Sequence, residues 1–142
     1  MKRTIAIGFL ALLALAIVGV AGAERIKGTD GPDQLTGTSS ADVIWAKAGN
    51  DTVNGLEGND RLHGGPGDDT VDGGPGNDRL WVGAGGDVEN GGDGDDVLHV
   101  LAKDGKVDNA DCGPGNDVIW VNAAESDVHV NCETVRTVTV TH

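Results

Sequence analysis

Aspartate returns at every ninth position over a long stretch of this chain: Asp33, Asp42, Asp51, Asp60, Asp69, Asp78, Asp87 and Asp96. Two residues before most of them stands a glycine, among them Gly49, Gly58, Gly67, Gly76 and Gly94, often followed by Asn or Asp. Each such segment brings two kinds of oxygen close together. The carboxylate is one, and the other is the backbone carbonyl, which glycine lets approach closely through φ values that other residues resist. Mixed carboxylate and carbonyl oxygens are what a hard cation takes, and calcium takes six to eight of them at about 2.3–2.6 Å. Acid–base or nucleophilic catalysis has less to work with. The pairs Asp68-Asp69 and Asp95-Asp96 imitate a carboxylate dyad, but the nine-residue period makes them turn residues. Ser39, Ser40 and Ser126 lie in no G-x-S-x-G setting, and His63, His99, His129 and His142 are scattered, with no H-E-x-x-H.

The elements that must hold these aspartates follow from the same period. Two residues after the aspartate comes an aliphatic side chain: Leu35, Ile44, Val53, Leu62, Val71, Leu80 and Leu98, with Glu89 the exception. Each unit therefore reads as a tight turn followed by a strand of about three residues, whose alternation sends one apolar residue inward. The series breaks after His99 and resumes at Asp117 and Ile119, with Asp108 nine residues earlier. One inward residue per strand is a thin core, too thin to offset the ordering entropy of so many glycines by itself. Cations joining neighbouring turns would supply the difference, because stacked aspartates repel until an ion neutralises them and ion binding then becomes folding energy.

The best units, GLEGNDRLH, GGPGDDTVD, GGPGNDRLW and GGDGDDVLH, follow G-G-x-G-x-D-x-U-x. The chain thereby resembles the RTX (haemolysin-type) calcium-binding family. The resemblance runs from Gly28 to His99 and returns at Cys112 to Trp120. It implies an all-β fold, a right-handed parallel β-roll in which two repeats make one coil. It also implies several calcium ions between turns two repeats apart, held by Asp51, Asp60, Asp69, Asp78, Asp87 and Asp96 with the turns of Gly49, Gly58, Gly67, Gly76 and Gly94. Whether Asp33, Asp42 and Asp117 bind is left open, since GTSSAD lacks the internal glycine and Pro32 precedes Asp33. The segment DCGPGND…NCETV resembles the closing part of small exported proteins with these repeats, where the paired cysteines join. That implies a Cys112–Cys132 disulfide tying a C-terminal cap, with Thr137 to Val140 expected to cover the open end of the roll.

The ends and the charge complete the expectation. Lys2 and Arg3, the uncharged run from Ile5 to Val20 and the small residues Ala21-Gly22-Ala23 form a secretory leader, with cleavage expected after Ala23. The chain then divides into a leader (1–23), calcium-binding repeats (24–99) and a continuation with its cap (100–142). It belongs outside the cell or on its surface, with no stable membrane insertion once the leader is gone. A net charge of −13 excludes nucleic acid as a partner and favours cations. If two repeats make a coil, Trp45, His63, Trp81 and His99 form one outward column, with Arg61 and Arg79 beside it. Large residues suit strands and cover a thin core. The alternative is a recognition strip for a cell-surface glycan or a protein.

Overall fold

A computed structural model describes residues 22–141, with the backbone of 15–18 as well. The remainder of the expected leader lies outside the described residues. Every unit forms a three- to five-residue strand, and strand n pairs in parallel with strand n+2. One seven-stranded sheet holds β1 (Leu15–Val18), β3 (Asp33–Thr36), β5 (Thr52–Asn54), β7 (Thr70–Asp72), β9 (Val88–Asn90), β11 (Asn109–Asp111) and β13 (Val128–Val130). The facing sheet, also seven-stranded, holds β2 (Arg25–Lys27), β4 (Val43–Trp45), β6 (Arg61–His63), β8 (Arg79–Trp81), β10 (Val97–Val100), β12 (Val118–Asn122) and β14 (Thr134–Val138). The result is an all-β parallel solenoid of about six turns in which two repeats make one coil. No helix occurs among the described residues.

The register is the arithmetic of the repeat. Ile44 sits opposite Leu62, Leu62 opposite Leu80, and Leu80 opposite Leu98, each eighteen residues on. These residues form the buried column of one sheet, and Leu35, Val53 and Val71 form that of the other. Glu89 continues the second column between Val71 and Ala110, and is as buried as its aliphatic neighbours. Beyond His99 the coil lengthens. Asn109 pairs with Val88 twenty-one residues back, and the extra residues form bends around Lys103–Lys106, where Gly105 has φ +76°.

The C-terminal region differs from expectation in one respect. Thr134–Val138 does not fold over the end of the roll. It adds to β12 as one more parallel strand, Ile119 opposite Val135, and leaves Val135 43 % exposed where a coil member would be covered. An unpaired strand edge offers the hydrogen bonds that a strand-forming sequence takes up, whereas a lid would have left that edge open. The cysteines do join, Cys112 to Cys132 with Cα atoms 5.2 Å apart. Cys112 stands where most repeats begin with glycine, and its side chain is fully buried in the core.

Candidate metal centre

Numbering each nonapeptide so that its aspartate is position 6, the turn occupies positions 1–5 and the strand positions 7–9. The position-6 aspartates form two ladders up the solenoid, one ahead of each sheet, with Asp51, Asp69 and Asp87 in one and Asp60, Asp78 and Asp96 in the other. The backbone N–H of Asp60 donates to Oδ1 of Asp78 (2.7 Å), that of Asp78 to Oδ1 of Asp96 (2.7 Å), and that of Asp51 to Oδ1 of Asp69 (2.8 Å). Both ladders continue through the longer coil, from Asp87 N–H to Asp108 and from Asp96 N–H to Asp117. They end with Asp108 N–H on Asp127 and Asp117 N–H on Glu133. Each carboxylate thus lies in the gap between its own turn and the turn one coil before.

The second carboxylate oxygen has no partner. Oδ2 of Asp51, Asp60, Asp69, Asp78, Asp87, Asp96 and Asp117 is buried without a hydrogen bond. Buried carboxylate oxygens are ordinarily satisfied, and an orphan of this kind costs about 1–3 kcal/mol, more when charged. Three in one ladder (Asp51, Asp69, Asp87) and four in the other (Asp60, Asp78, Asp96, Asp117) mark places where something else supplies positive charge.

The turns also stack carbonyl oxygens from coil to coil. Position 2 takes positive φ in most of these repeats even where it is not glycine, as at Lys47 (84°) and Leu56 (73°) but not at Gly83, and position 4 does so at Gly49 (125°), Gly58 (123°), Gly67 (134°), Gly76 (147°), Gly85 (149°) and Gly94 (136°). Their carbonyls point along the solenoid. A Cβ on Gly58 would lie 2.8 Å from the carbonyl oxygen of Ser40, and one on Gly49 2.8 Å from that of Gly31. On Gly67, Gly76, Gly85, Gly94 and Gly115 it would fall closer still on the position-4 carbonyl of the preceding coil. Glycine is required here because stacked turns press oxygen-bearing backbone against one another. Carbonyls from two coils and an orphaned carboxylate oxygen are the donor set of a hard cation, so the residues present fit calcium.

Electrostatics agree with that donor set. Without a cation, burial raises Asp69 and Asp78 to about 7 and Asp60, Asp87, Asp96 and Asp108 to about 6. The backbone N–H bond of the ladder opposes the rise, and repulsion from neighbouring aspartates adds to it. Glu89 is raised furthest, to about 9, by burial first and then by Asp108, Asp87 and Asp127. Both its oxygens are without a partner.

The structure sets the expected aspartates in two ladders, Asp51, Asp69 and Asp87 in one and Asp60, Asp78 and Asp96 in the other, with Gly49, Gly58, Gly67, Gly76 and Gly94 at position 4 of the stacked turns. It adds two features that the period did not single out, Gly85, whose repeat reads poorly overall, and the terminal carboxylates Asp127 and Glu133, and it gives Asp117, left open by the sequence, the same orphaned Oδ2 as the earlier repeats. Asp33 and Asp42 differ from the rest, because their carboxylates are bonded by Thr29 and Thr38.

The outward column is a stack of rings. Trp45 and His63 have centroids 5.9 Å apart, His63 and Trp81 4.4 Å, Trp81 and His99 5.2 Å, and His99 and Trp120 6.2 Å, with interplanar angles of 4–13°. Lys27 lies over Trp45 at one end and Arg136 over Trp120 at the other. The cations on the indoles are therefore these two, not the Arg61 and Arg79 that the sequence places beside the column. The rings turn their faces to one another along the solenoid and only edges outward.

A sequence profile of the RTX calcium-binding nonapeptide repeat (4 copies) matches residues 18–53, 54–89 and 90–102. No curated protein and no solved structure matches the chain.

Proposed function

The chain belongs to the RTX calcium-binding nonapeptide-repeat family, and from that premise we propose that it is an exported calcium-binding protein whose solenoid is completed by the ions it binds. The observation that carries the reading is the set of seven buried, unpartnered Oδ2 atoms in two ladders. The ligands are Asp51, Asp60, Asp69, Asp78, Asp87, Asp96 and Asp117, together with position-2 and position-4 carbonyls of the flanking turns. Bound there, calcium neutralises carboxylates that otherwise repel along the stack, and it ties each turn to the one a coil away.

Folding and binding are then one process. The interior offers one aliphatic residue from most strands, two from β10 and β12 and none from β9, and without cations it must also bury like charges in register. Ion binding removes that penalty, and because each turn serves the gaps on both of its sides, filling one gap organises the next. Export suits the chemistry, since extracellular modules bind calcium at about 10⁻⁴–10⁻³ M, far above cytosolic levels. The charged start, apolar run and small-residue site of residues 1–23 support the same placement.

The reading in which calcium binding and a scaffold are the protein's main work is favoured over adhesion through the aromatic column, because stacked rings leave no indole face for a sugar. Far-ultraviolet circular dichroism of the purified chain tests the coupling. In chelator at neutral pH the chain is expected to be largely disordered, and calcium at about 10⁻⁴–10⁻³ M to restore β signal cooperatively. Magnesium, which demands octahedral and water-rich shells, should do so poorly. A chain equally folded in excess chelator, with its bound metal shown to be absent, would refute the coupling.

A further inference from the structure

The first two repeats have the position-6 aspartate but a different second residue. They begin Gly-Thr, and neither Thr29 nor Thr38 takes the positive φ seen at Lys47, Leu56 or Gly65. Position 4 is Gly31 in one and Ser40 in the other, and neither has positive φ. The consequence is visible at the carboxylates. The backbone N–H of Thr38 donates to Oδ2 of Asp42 (2.6 Å), and Thr29 N–H donates to Oδ2 of Asp33. In later coils no such bond reaches Oδ2 of the seven orphaned aspartates.

The hydroxyl groups are placed more tellingly. Thr38 Oγ1 lies 3.0 and 3.2 Å from the two carboxylate oxygens of Asp42, 3.5 Å from the carbonyl of Ser40 and 3.1 Å from the carbonyl of Gly22. Ser40 is position 4 of the same turn, and Gly22 stands eighteen residues before it, position 4 of the preceding coil. Those are the oxygen types, a position-6 carboxylate and position-4 carbonyls of two successive coils, assigned above to a calcium gap. Thr29 Oγ1 repeats the arrangement, 3.1 and 3.2 Å from the carboxylate of Asp33 and 3.4 Å from the carbonyl of Gly31. Each hydroxyl also accepts from the position-4 N–H, at 3.3 Å from Gly31 and 3.1 Å from Ser40.

We propose that the hydroxyls of Thr29 and Thr38 occupy the place that calcium takes in later coils, so that the coil made by these two repeats closes without metal and the two calcium columns begin at Asp51 and Asp60. This rests on the calcium reading above. The chemistry suits an end coil. Repeat arrays need termini that are complete without a neighbour, and once a leader is removed after Ala23 a cation there would find ligands on one side only. Removal of a leader after Ala23 would take Gly22 away, yet Thr38 would keep Asp42 and Ser40. A side chain donor satisfies the carboxylate locally, whatever precedes it.

Native mass spectrometry of the purified chain in saturating calcium reads the number of ions directly. The Asp33→Asn and Asp42→Asn variants are expected to bind as many calcium ions as the wild type, and Asp78→Asn at least one fewer. Loss of an ion from either of the first two variants would overturn the inference while leaving the calcium reading intact. A wild type that binds no calcium would overturn both. Thr38→Val guards against variants that fail to fold. It removes only the hydroxyl, and it should leave the ion count unchanged while lowering the melting temperature of the calcium-saturated chain by several degrees. An unchanged melting temperature would overturn the inference as surely as a changed count.

Discussion

Replacing Gly58 by alanine probes the stacking of turns on which the calcium gaps depend. Gly58 has φ +123°, and a Cβ there would lie 2.6, 2.8 and 2.9 Å from the carbonyl carbon and oxygen of Ser40 and the nitrogen of Ala41. All three are backbone atoms, so no side chain can swing aside. A non-glycine residue in the left-handed region costs about 1–2 kcal/mol. Forcing extra volume into a packed contact costs about 1–3 kcal/mol more. Together these give a loss of about 2–5 kcal/mol, a large share of the stability of an ordinary domain. Two other glycines separate the contributions. Gly105 has φ +76° with nothing within 4 Å of a built Cβ, so Gly105→Ala carries the backbone term alone, about 1–2 kcal/mol. Gly86 is not in the left-handed region, and its nearest contact would be 3.5 Å from the Val107 carbonyl oxygen, so Gly86→Ala should stay within about 0.5 kcal/mol of wild type. Urea unfolding in saturating calcium, followed by circular dichroism, gives the three values on one scale. A Gly58→Ala chain within about 1 kcal/mol of Gly86→Ala would refute the claim that the turns stack at carbonyl contact.

Three further outcomes follow from the same structure. Glu89→Leu should stabilise the calcium-saturated chain by about 1–3 kcal/mol, because it replaces a buried carboxyl with no partner by an aliphatic residue in an aliphatic column; thermal or urea unfolding measures it, and a destabilised variant would mean that Glu89 has a partner. Breaking the Cys112–Cys132 bond with a Cys112→Ser/Cys132→Ser pair should cost on the order of 3 kcal/mol from loop entropy, and the same unfolding curves report it. In chelator the fold should return on acidification. The aspartate pKa values are raised in the fold, to about 6 for Asp60 and about 7 for Asp78, so the protonated ladder favours the folded chain at low pH and that support is lost as pH rises through 6 to 7. With calcium present the dependence reverses, since protons then compete with the ion, and dichroism across pH 4.5–8 with and without calcium shows both limbs.

Much of this molecule is written in its period. Eight aspartates in one register, each followed two residues later by an inward residue, determine the coil length, the pairing of alternate strands and the column of Trp45, His63, Trp81 and His99. What the period could not carry lies where it fails. Trp120 joins the ring stack only because the long coil after His99 brings β12 back into register, and a count of nines does not reach across that insertion. Asp127 and Glu133 extend the carboxylate ladders at spacings of nineteen and sixteen residues from their partners, Asp108 and Asp117. The role of Thr29 and Thr38 is a matter of where a hydroxyl sits between two coils, and the motif records only that glycine is missing. Alternating Thr and Val at the C-terminus signals a strand correctly, but whether that strand closes the end or lengthens the sheet is decided by the free edge of β12.

A crystal structure of the chain grown in calcium, with the ions located by anomalous scattering, tests the central claim most directly. Calcium is expected in the gaps beside Oδ2 of Asp51, Asp60, Asp69, Asp78, Asp87, Asp96 and Asp117, at about 2.3–2.6 Å from carboxylate and carbonyl oxygens of two successive coils. Gaps that hold water alone, or ions bound only on the solvent side of the turns, would contradict it.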